Sequence, residues 1–189
     1  MDRIIFRTGK KSALFTLEDK EEDIRKAAKW LNDYEGVSRF IGLVGPQSII
    51  AEREWFARVH KDKENQVFGI ATLEGKFIGM MGLHQINLHH RTAVTGAFIG
   101  EKEYRSGGYG TDAKMQLLHY AFTELNLFKV CSSVLSGNGR SLAYLKKTGY
   151  VVEGVKKGQV FRSNKRMDQV MLAVFKPEFM KLWRRYRNS

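Results

Sequence analysis

The sequence is short of the features that mark secreted, membrane-embedded or disulfide-bonded proteins. No window of its 189 residues approaches the roughly 18 to 20 consecutive apolar residues of a membrane span. Residues 1–10, MDRIIFRTGK, contain no apolar run of signal-peptide length. The single cysteine, Cys131, has no partner for an internal disulfide and lies in the apolar run FKVCSSVL, where we expect a small buried thiol. These absences predict a cytoplasmic protein with no membrane partner.

Sequence signals for linkers or domain boundaries are also few. The sequence has two prolines, Pro46 and Pro177, and neither repeats nor a low-complexity tract, so no linker is evident. A chain of 189 residues with 43% hydrophobic content suits one substantial core. We therefore expect a single domain over residues 1–189.

Patterns for metal ligands are missing as well. His84, His89 and His90 lie close in sequence, but no helical HExxH or Cys/His pattern accompanies them. His89 and His90 are neighbours at a predicted hairpin turn, where we expect their side chains to diverge. The sequence therefore predicts no metal site.

Charge is abundant and unevenly distributed. The net charge is +12, and residues 126–189 carry 14 lysines and arginines against three acidic residues, so this third of the chain holds +11 of it. Such an excess predicts an acidic partner, either a phosphorylated cofactor or RNA, with simple solvation as the alternative.

Hydrophobic periodicity predicts a mixed α/β fold. Residues 66–100 alternate strand runs with turn signals, which is typical of a three-stranded antiparallel meander. A helix after residue 110 and the strand FKVCSSVL follow, and because a strand, helix, strand order needs a crossover, we expect the strands near residues 93–100 and 128–135 to be parallel. The other segments read as strands at 3–7 and 13–18, helices at 20–34, 49–62 and within 136–150, and two final strands.

The glycines of residues 103–110, EYRSGGYG, precede a helix and indicate a phosphate-binding turn. A Walker loop is excluded because Gly110 is followed by Thr111 and Asp112. A dinucleotide fingerprint is weak because the next strand ends Val134-Leu135-Ser136, without the acidic residue that would bind ribose. The third interpretation is that the glycines let the backbone N–H groups of residues 106–111 cradle a pyrophosphate at the helix N-terminus, with Arg105 adding a cation. A turn that serves geometry alone remains the alternative.

Residues 105–110 resemble the Gln/Arg-x-x-Gly-x-Gly/Ala acetyl-CoA motif of the GNAT superfamily of N-acetyltransferases. Residues 98–130 and 136–154, the latter SGNGRSLAYLKKTGYVVEG, resemble the subgroup that contains ribosomal-protein alanine N-acetyltransferases and spermidine acetyltransferases. The match is specific over residues 77–175 and loose over 1–62, which shape the acceptor pocket in such enzymes. The resemblance implies a mixed, mostly antiparallel sheet flanked by helices, with a splayed central parallel pair.

The resemblance also implies a site for acetyl-CoA as co-substrate. The backbone of residues 98–100 would pair with the pantetheine arm, residues 105–111 would hold the pyrophosphate, and Asn138 would hydrogen-bond the pantetheine or the adjacent chain. Tyr144 would lie near the thioester sulfur as the catalytic acid, while the base stays open between Glu101, Glu153, His84 and ordered water. The implied cofactor-binding residues are Phe98, Ile99, Gly100, Arg105, Ser106, Gly107, Gly108, Tyr109, Gly110, Thr111 and Asn138.

The function implied is transfer of acetyl from acetyl-CoA to a primary amine. A protein N-terminal amine is favoured by the subgroup and by the basic C-terminal third, which would help the enzyme work near ribosomal RNA. A polyamine acceptor would require acidic residues in the wall of its pocket, and the run EDKEED at residues 18–23 would supply some of them. An antibiotic or amino-sugar acceptor, a non-catalytic RNA- or ribosome-binding module on the same fold, and a monomeric or homodimeric state remain open.

Overall fold

One continuous eight-stranded sheet organises the molecule. The computed structural model describes residues 3–41, 45–59 and 61–188. The strands are β1 (Ile5–Thr8), β2 (Ser12–Thr16), β3 (Gln66–Thr72), β4 (Phe77–Asn87), β5 (Thr92–Ile99), β6 (Lys129–Leu135), β7 (Val151–Arg162) and β8 (Lys165–Phe175). The helices are α1 (Glu21–Leu31), α2 (Ile49–Val59), α3 (Tyr109–Thr123), α4 (Gly139–Lys147) and α5 (Lys176–Asn188).

The sheet order is β1-β2-β3-β4-β5-β6-β8-β7, and every pair is antiparallel except β5 and β6. The predicted meander of β3, β4 and β5, the parallel pair and the mixed fold class are therefore confirmed. The parallel ladder joins residues 92–94 to residues 129–131 and no further. Beyond these three pairs the two strands separate, and a gap opens in the middle of the sheet.

Helices cover both faces of the sheet. Ile99 packs with a cluster that contains Leu118 of α3 and Phe179 of α5, whereas its neighbour Phe98 packs with a cluster that contains Trp30 of α1. Because successive side chains of a strand point to opposite faces, α3 and α5 lie on one side of β5 and α1 on the other.

Sequence features account for several helix ends and faces. The apolar face of α1 is buried, with Ile24 and Ala27 fully enclosed. Ser48 caps α2, since its Oγ accepts a hydrogen bond from the Ala51 N–H at 3.1 Å. Gly149 follows α4 with a φ of +92°, the left-handed conformation that commonly ends a helix.

Two expectations from the sequence are wrong. The rings of His89 and His90 are in contact, with centroids 4.8 Å apart, because both residues lie in a turn and not in an extended strand whose side chains alternate. Cys131 is half-buried and not fully buried, because the buried face of β6 is formed by Val130 and Ser132 on either side of it.

Within the described ranges no cluster of three or more potential metal ligands occurs. Among those same residues, none of the helices combines the length and the apolar character needed to span a bilayer.

Candidate active site

The gap between β5 and β6 opens into a cavity of about 610 Å³. Its wall includes the end of β5, the end of β6, the loop before α3, the first turns of α3, the helix α4, part of β7 and residues 36–41 between α1 and α2. Three of the twelve predicted site residues, Gly100, Gly107 and Tyr109, adjoin this wall in sequence without lining it. The other nine line it, namely Phe98, Ile99, Arg105, Ser106, Gly108, Gly110, Thr111, Asn138 and Tyr144.

The free edge of β5 lies along this cavity. The ladder with β6 ends at Val94, and residues 95–99 all line the cavity. An unpaired strand edge offers backbone donors and acceptors to an extended ligand. The pairing of this edge with a pantetheine arm stays a prediction.

Gly100 directly follows β5 and packs closely against α1. A Cβ atom at this position would lie 2.0 Å from Cδ2 of Trp30, so only glycine fits against α1. Its N–H already donates to the Ile78 carbonyl at 2.8 Å. This N–H is therefore engaged within the sheet.

Arg105 fastens the glycine loop to the end of β5. Its side chain is 11% exposed, and it donates from Nε to the Ile99 carbonyl at 2.9 Å and from an Nη to the Gly100 carbonyl at 2.7 Å. The same guanidinium lies 3.6 Å from Asp33 at the end of α1. Several hydrogen-bond donors of Arg105 are therefore used to position the glycine loop against the end of β5.

The glycine loop brings backbone donors to the cavity. Gly108 adopts a left-handed φ of +89°, which L side chains rarely take, and directly precedes α3. The first N–H groups of a helix have no intrahelical acceptor and carry a partial positive charge, which favours an anion. A phosphate-bearing ligand therefore fits the start of α3.

Asp112 holds this helix start in place. Its carboxylate is buried and accepts hydrogen bonds from the N–H groups of Lys10, Lys11 and Ser12, from the Ser12 hydroxyl and from the Tyr186 hydroxyl. Burial alone would raise the pKa of Asp112, but the bonds from Tyr186, Ser12 and the backbone outweigh it, and the pKa is lowered. The carboxylate joins the β1–β2 turn, α3 and α5.

Asn138 is the N-cap of α4. Its Oδ1 accepts a hydrogen bond from the Ser141 N–H at 3.1 Å, and the residue also lines the cavity. The capping bond fixes the direction in which α4 leaves the loop and so places Tyr144 one turn and a half further on.

Tyr144 points a hydroxyl into the protein that no described residue satisfies. The side chain lines the cavity, and its buried oxygen has no hydrogen-bond partner. Burial raises the pKa of Tyr144 well above its ordinary value of 10, so the phenol stays protonated at neutral pH. A buried hydroxyl without a partner is costly, which indicates that a ligand provides the missing partner.

Lys114 is the cavity residue that the sequence prediction missed. It is 1% exposed, lines the cavity and forms no salt bridge with a described residue. Its Nζ lies 5.8 Å from the ring centroid of Tyr144 and 6.0 Å from that of Tyr150. Burial lowers the pKa of Lys114 to about 7. The signal was available in the sequence, because Lys114 lies four residues after Gly110 and therefore on the same helix face.

None of the three residues considered as a base lines the cavity. Glu153 pairs with Lys129 at 2.6 Å, and the His84 ring contacts the Asn65 side-chain oxygen at 3.2 Å. Burial and the nearby Lys114 charge lower the pKa of His84.

The cavity wall is positively charged. None of its described residues is a carboxylate, and its basic residues are Arg105, Arg140, Lys147, Arg162 and the buried Lys114, whose pKa is lowered to about 7. The acidic run at residues 18–23 is not part of the wall and forms ion pairs elsewhere, for example Asp23 with Arg3 at 2.6 Å and Glu22 with Lys26 at 2.7 Å. The cavity therefore suits a ligand that carries negative charge, such as a phosphorylated cofactor.

Comparison with known proteins agrees with this geometry. Residues 15–151 match the family described as acetyltransferase (GNAT) domain, which confirms the resemblance drawn from residues 105–110. The probable N-acetyltransferase YjcK of Bacillus subtilis (strain 168) is 33% identical over 129 residues, covering 66% of this chain and 69% of that protein. The putative ribosomal N-acetyltransferase YdaF of the same organism is 31% identical over 106 residues, covering 56% of this chain and 57% of that protein.

Solved structures share the fold. The crystal structure of spermidine N-acetyltransferase from Vibrio cholerae in complex with CoA and spermine matches with a TM-score of 0.81 and 22% identity, over 89% of this chain and 98% of that chain. The family match spans the glycine loop, Tyr144 and most of the residues that line the cavity. The chain therefore belongs to the GNAT acetyltransferase family and is an N-acetyltransferase that uses acetyl-CoA as its co-substrate.

Proposed function

We propose that this acetyltransferase acts in the cytoplasm, as a single domain, on a protein N-terminal amine of the ribosomal type. The observation that carries the choice of acceptor is the cavity wall, which has four arginine and lysine side chains besides the buried Lys114 and no carboxylate among its described residues. A peptide N-terminus brings one ammonium group, whereas a polyamine brings several. Like charges at short distance repel, so this wall disfavours a polyamine.

The same proposal assigns the cofactor. The backbone along Phe98 and Ile99 takes the pantetheine arm, the loop from Arg105 to Thr111 takes the pyrophosphate, and Asn138 borders the arm. Tyr144 provides the proton for the departing thiolate. Support comes from the free edge of β5, the helix N-terminus after Gly108 and the unpartnered Tyr144 hydroxyl.

Gly110→Val should abolish most acetyl-CoA binding. An added Cβ at Gly110 would make ordinary contacts, 3.7 Å to Ile99 and 3.8 Å to Tyr144, but the two further methyl groups of valine extend into the cavity beside the first N–H groups of α3. Isothermal titration calorimetry should show affinity reduced by at least about tenfold, or about 1.4 kcal/mol. Gly110→Ala is the matched control, because its single methyl group fits; unchanged binding by a folded Gly110→Val protein would contradict the loop assignment.

A panel of amines tests the acceptor. Release of CoA thiol is measured with a short peptide, the same peptide with a blocked N-terminus, spermidine and an amino sugar. We expect the free peptide to be the substrate, the blocked peptide to be inert and the kcat/KM of spermidine to be at least about tenfold lower, a difference of about 1.4 kcal/mol. Salt screens the repulsion between spermidine and the basic cavity wall. The kcat/KM of spermidine relative to that of the peptide should therefore rise with ionic strength. Preference for spermidine or the amino sugar would contradict the proposal.

The exposed cations of α5 favour work near ribosomal RNA. Lys181, Arg184, Arg185 and Arg187 are exposed, while Phe179 and Trp183 of the same helix are buried. Changing the three arginines to serine should leave acetylation of the short peptide nearly intact and weaken ribosome association at low salt. Equal loss in both assays would instead make α5 a structural element.

A further inference from the structure

We propose that Lys114 is itself an acetyl acceptor, so that this enzyme modifies its own cavity when acetyl-CoA is bound and no amine substrate arrives. The product is N-acetylated Lys114 in the wall of the active site. The proposal rests on the placement of acetyl-CoA proposed above, with its thioester beside Tyr144.

Position is the first support. Lys114 lies one helical turn beyond Gly110, on the face of α3 that lines the cavity. Gly110 in turn lies against Tyr144, since an added Cβ would be 3.8 Å from Tyr144 Cε2. The Lys114 Nζ is 5.8 Å from the Tyr144 ring centroid. A thioester close enough to take a proton from Tyr144 is therefore within reach of this amine.

Confinement is the second support. Lys114 is 1% exposed, so its long side chain does not extend to the surface as lysines usually do. The structure gives it no carboxylate partner in the described chain, and a buried lysine is normally paired. An unpaired amine enclosed in the reaction cavity can attack a bound thioester in a way that a lysine extended into solvent cannot.

The charge state of the amine agrees with this role. Burial lowers the pKa of Lys114 to about 7, so a large fraction is the neutral nucleophile at neutral pH, whereas a solvated lysine is neutral to only about 0.04%. The titratable groups that face it or interact with it are Tyr144 of α4, Tyr150 before β7 and His84 of β4. Burial keeps both tyrosines protonated and uncharged and lowers the pKa of His84, so none of them provides a negative charge that would hold the ammonium form.

The reaction balances without another reagent. The lone pair of the neutral Nζ attacks the thioester carbonyl carbon, forming the C–N bond, and the C–S bond breaks with its electron pair on sulfur. The Tyr144 hydroxyl gives its proton to the thiolate, and the proton lost by the nitrogen returns to the phenolate. The products are one amide and CoA with a free thiol. Because an amide is stable, the modified chain retains the acetyl group in its cavity.

The test compares lysines within one protein. The folded chain is incubated with acetyl-CoA and no acceptor between pH 6 and pH 9, digested, and mapped by mass spectrometry. We expect Lys114 to be acetylated at least about tenfold faster than Lys147, which lines the same cavity but is exposed, because Lys114 is enclosed beside Tyr144 and its pKa is lowered to about 7. The rate should rise through about pH 7 and then level off, and a peptide acceptor should slow it by competition.

Two controls make the outcome decisive. The chain unfolded in urea should lose the preference for Lys114, and Lys114→Arg, which keeps a long basic side chain without a comparable nucleophile, should release CoA much more slowly in the absence of acceptor. If Lys114→Arg fails to fold, the map of the unaltered protein still decides. Absence of acetyl on Lys114, or equal labelling of folded and unfolded chains, overturns the proposal. Calorimetry separates the two proposals: acetyl-CoA binding without labelling overturns self-acetylation alone, whereas absence of binding overturns the cofactor placement with it.

Discussion

Tyr144→Phe should lower the rate of acetyl transfer by roughly 10² to 10⁴, the usual contribution of one positioned proton donor. The substitution removes the hydroxyl and keeps the ring that lines the cavity. That hydroxyl has no hydrogen-bond partner among the described residues, so its removal leaves no buried donor or acceptor unsatisfied. Acetyl-CoA affinity and thermal stability should therefore change little. Turnover is measured at saturating acceptor with an authentic amine substrate, so that chemistry limits the rate.

Tyr150→Phe is the matched control for this experiment. Tyr150 is a buried tyrosine whose hydroxyl, unlike that of Tyr144, has a partner: it bonds to Thr95 Oγ1 at 2.8 Å. Its loss should reduce stability by about 1 kcal/mol, with a much smaller effect on turnover. If Tyr144→Phe retained full turnover and Tyr144→Ala lost only stability, Tyr144 would be a packing residue, and water or another side chain would protonate the thiolate.

Asp112→Ala should lower the free energy of unfolding by roughly 3 to 5 kcal/mol, because each buried donor left without an acceptor costs about 1 to 3 kcal/mol. The carboxylate accepts from three backbone N–H groups of residues 10–12, at 2.9, 3.1 and 2.9 Å, and from the hydroxyls of Ser12 and Tyr186. Alanine provides no replacement acceptor, and the chain segments it leaves unjoined are about 100 residues apart in sequence. Urea unfolding followed by circular dichroism measures the loss.

Asp112→Asn tests the charge separately from the shape. The pKa of Asp112 is lowered in the folded protein, so its contribution to stability is present above the unfolded pKa of about 3.9 and is lost as pH falls through the lower folded pKa. The unaltered protein should lose this contribution below about pH 4, whereas Asp112→Asn should be less stable at neutral pH and change less in acid. Equal urea midpoints for all three proteins at pH 7 would contradict the assigned role.

Periodicity and crossover geometry predicted most of the fold. The meander, the helix after the glycine loop and the parallel pair are local or topological consequences of the pattern, and the structure has them. The turn that holds His89 and His90 was predicted, but the divergence of their side chains was wrong, because the turn backbone brings the two neighbouring rings into contact.

Less of the candidate site could be predicted from the sequence, because its details depend on contacts between residues that are far apart in the chain. The motif marks Arg105 but does not say that its donors bind the Ile99 and Gly100 carbonyls. Asp112 follows the motif, yet the turn that it holds lies near residue 10. Lys114 was overlooked because a lysine on a helix is nearly always exposed, and only the three-dimensional packing of α3 against the divided sheet encloses it.

The short ladder between β5 and β6 has a consequence for how such an enzyme changes during evolution. Only three residue pairs join the five strands on one side of this ladder to the three strands on the other. The side chains of α3 and α4 that line the cavity lie beside this opening and take no part in main-chain pairing between strands. Substitutions on those helices can therefore change the size of the cavity without shifting a strand register, so the cavity is free to diverge while the sheet stays the same.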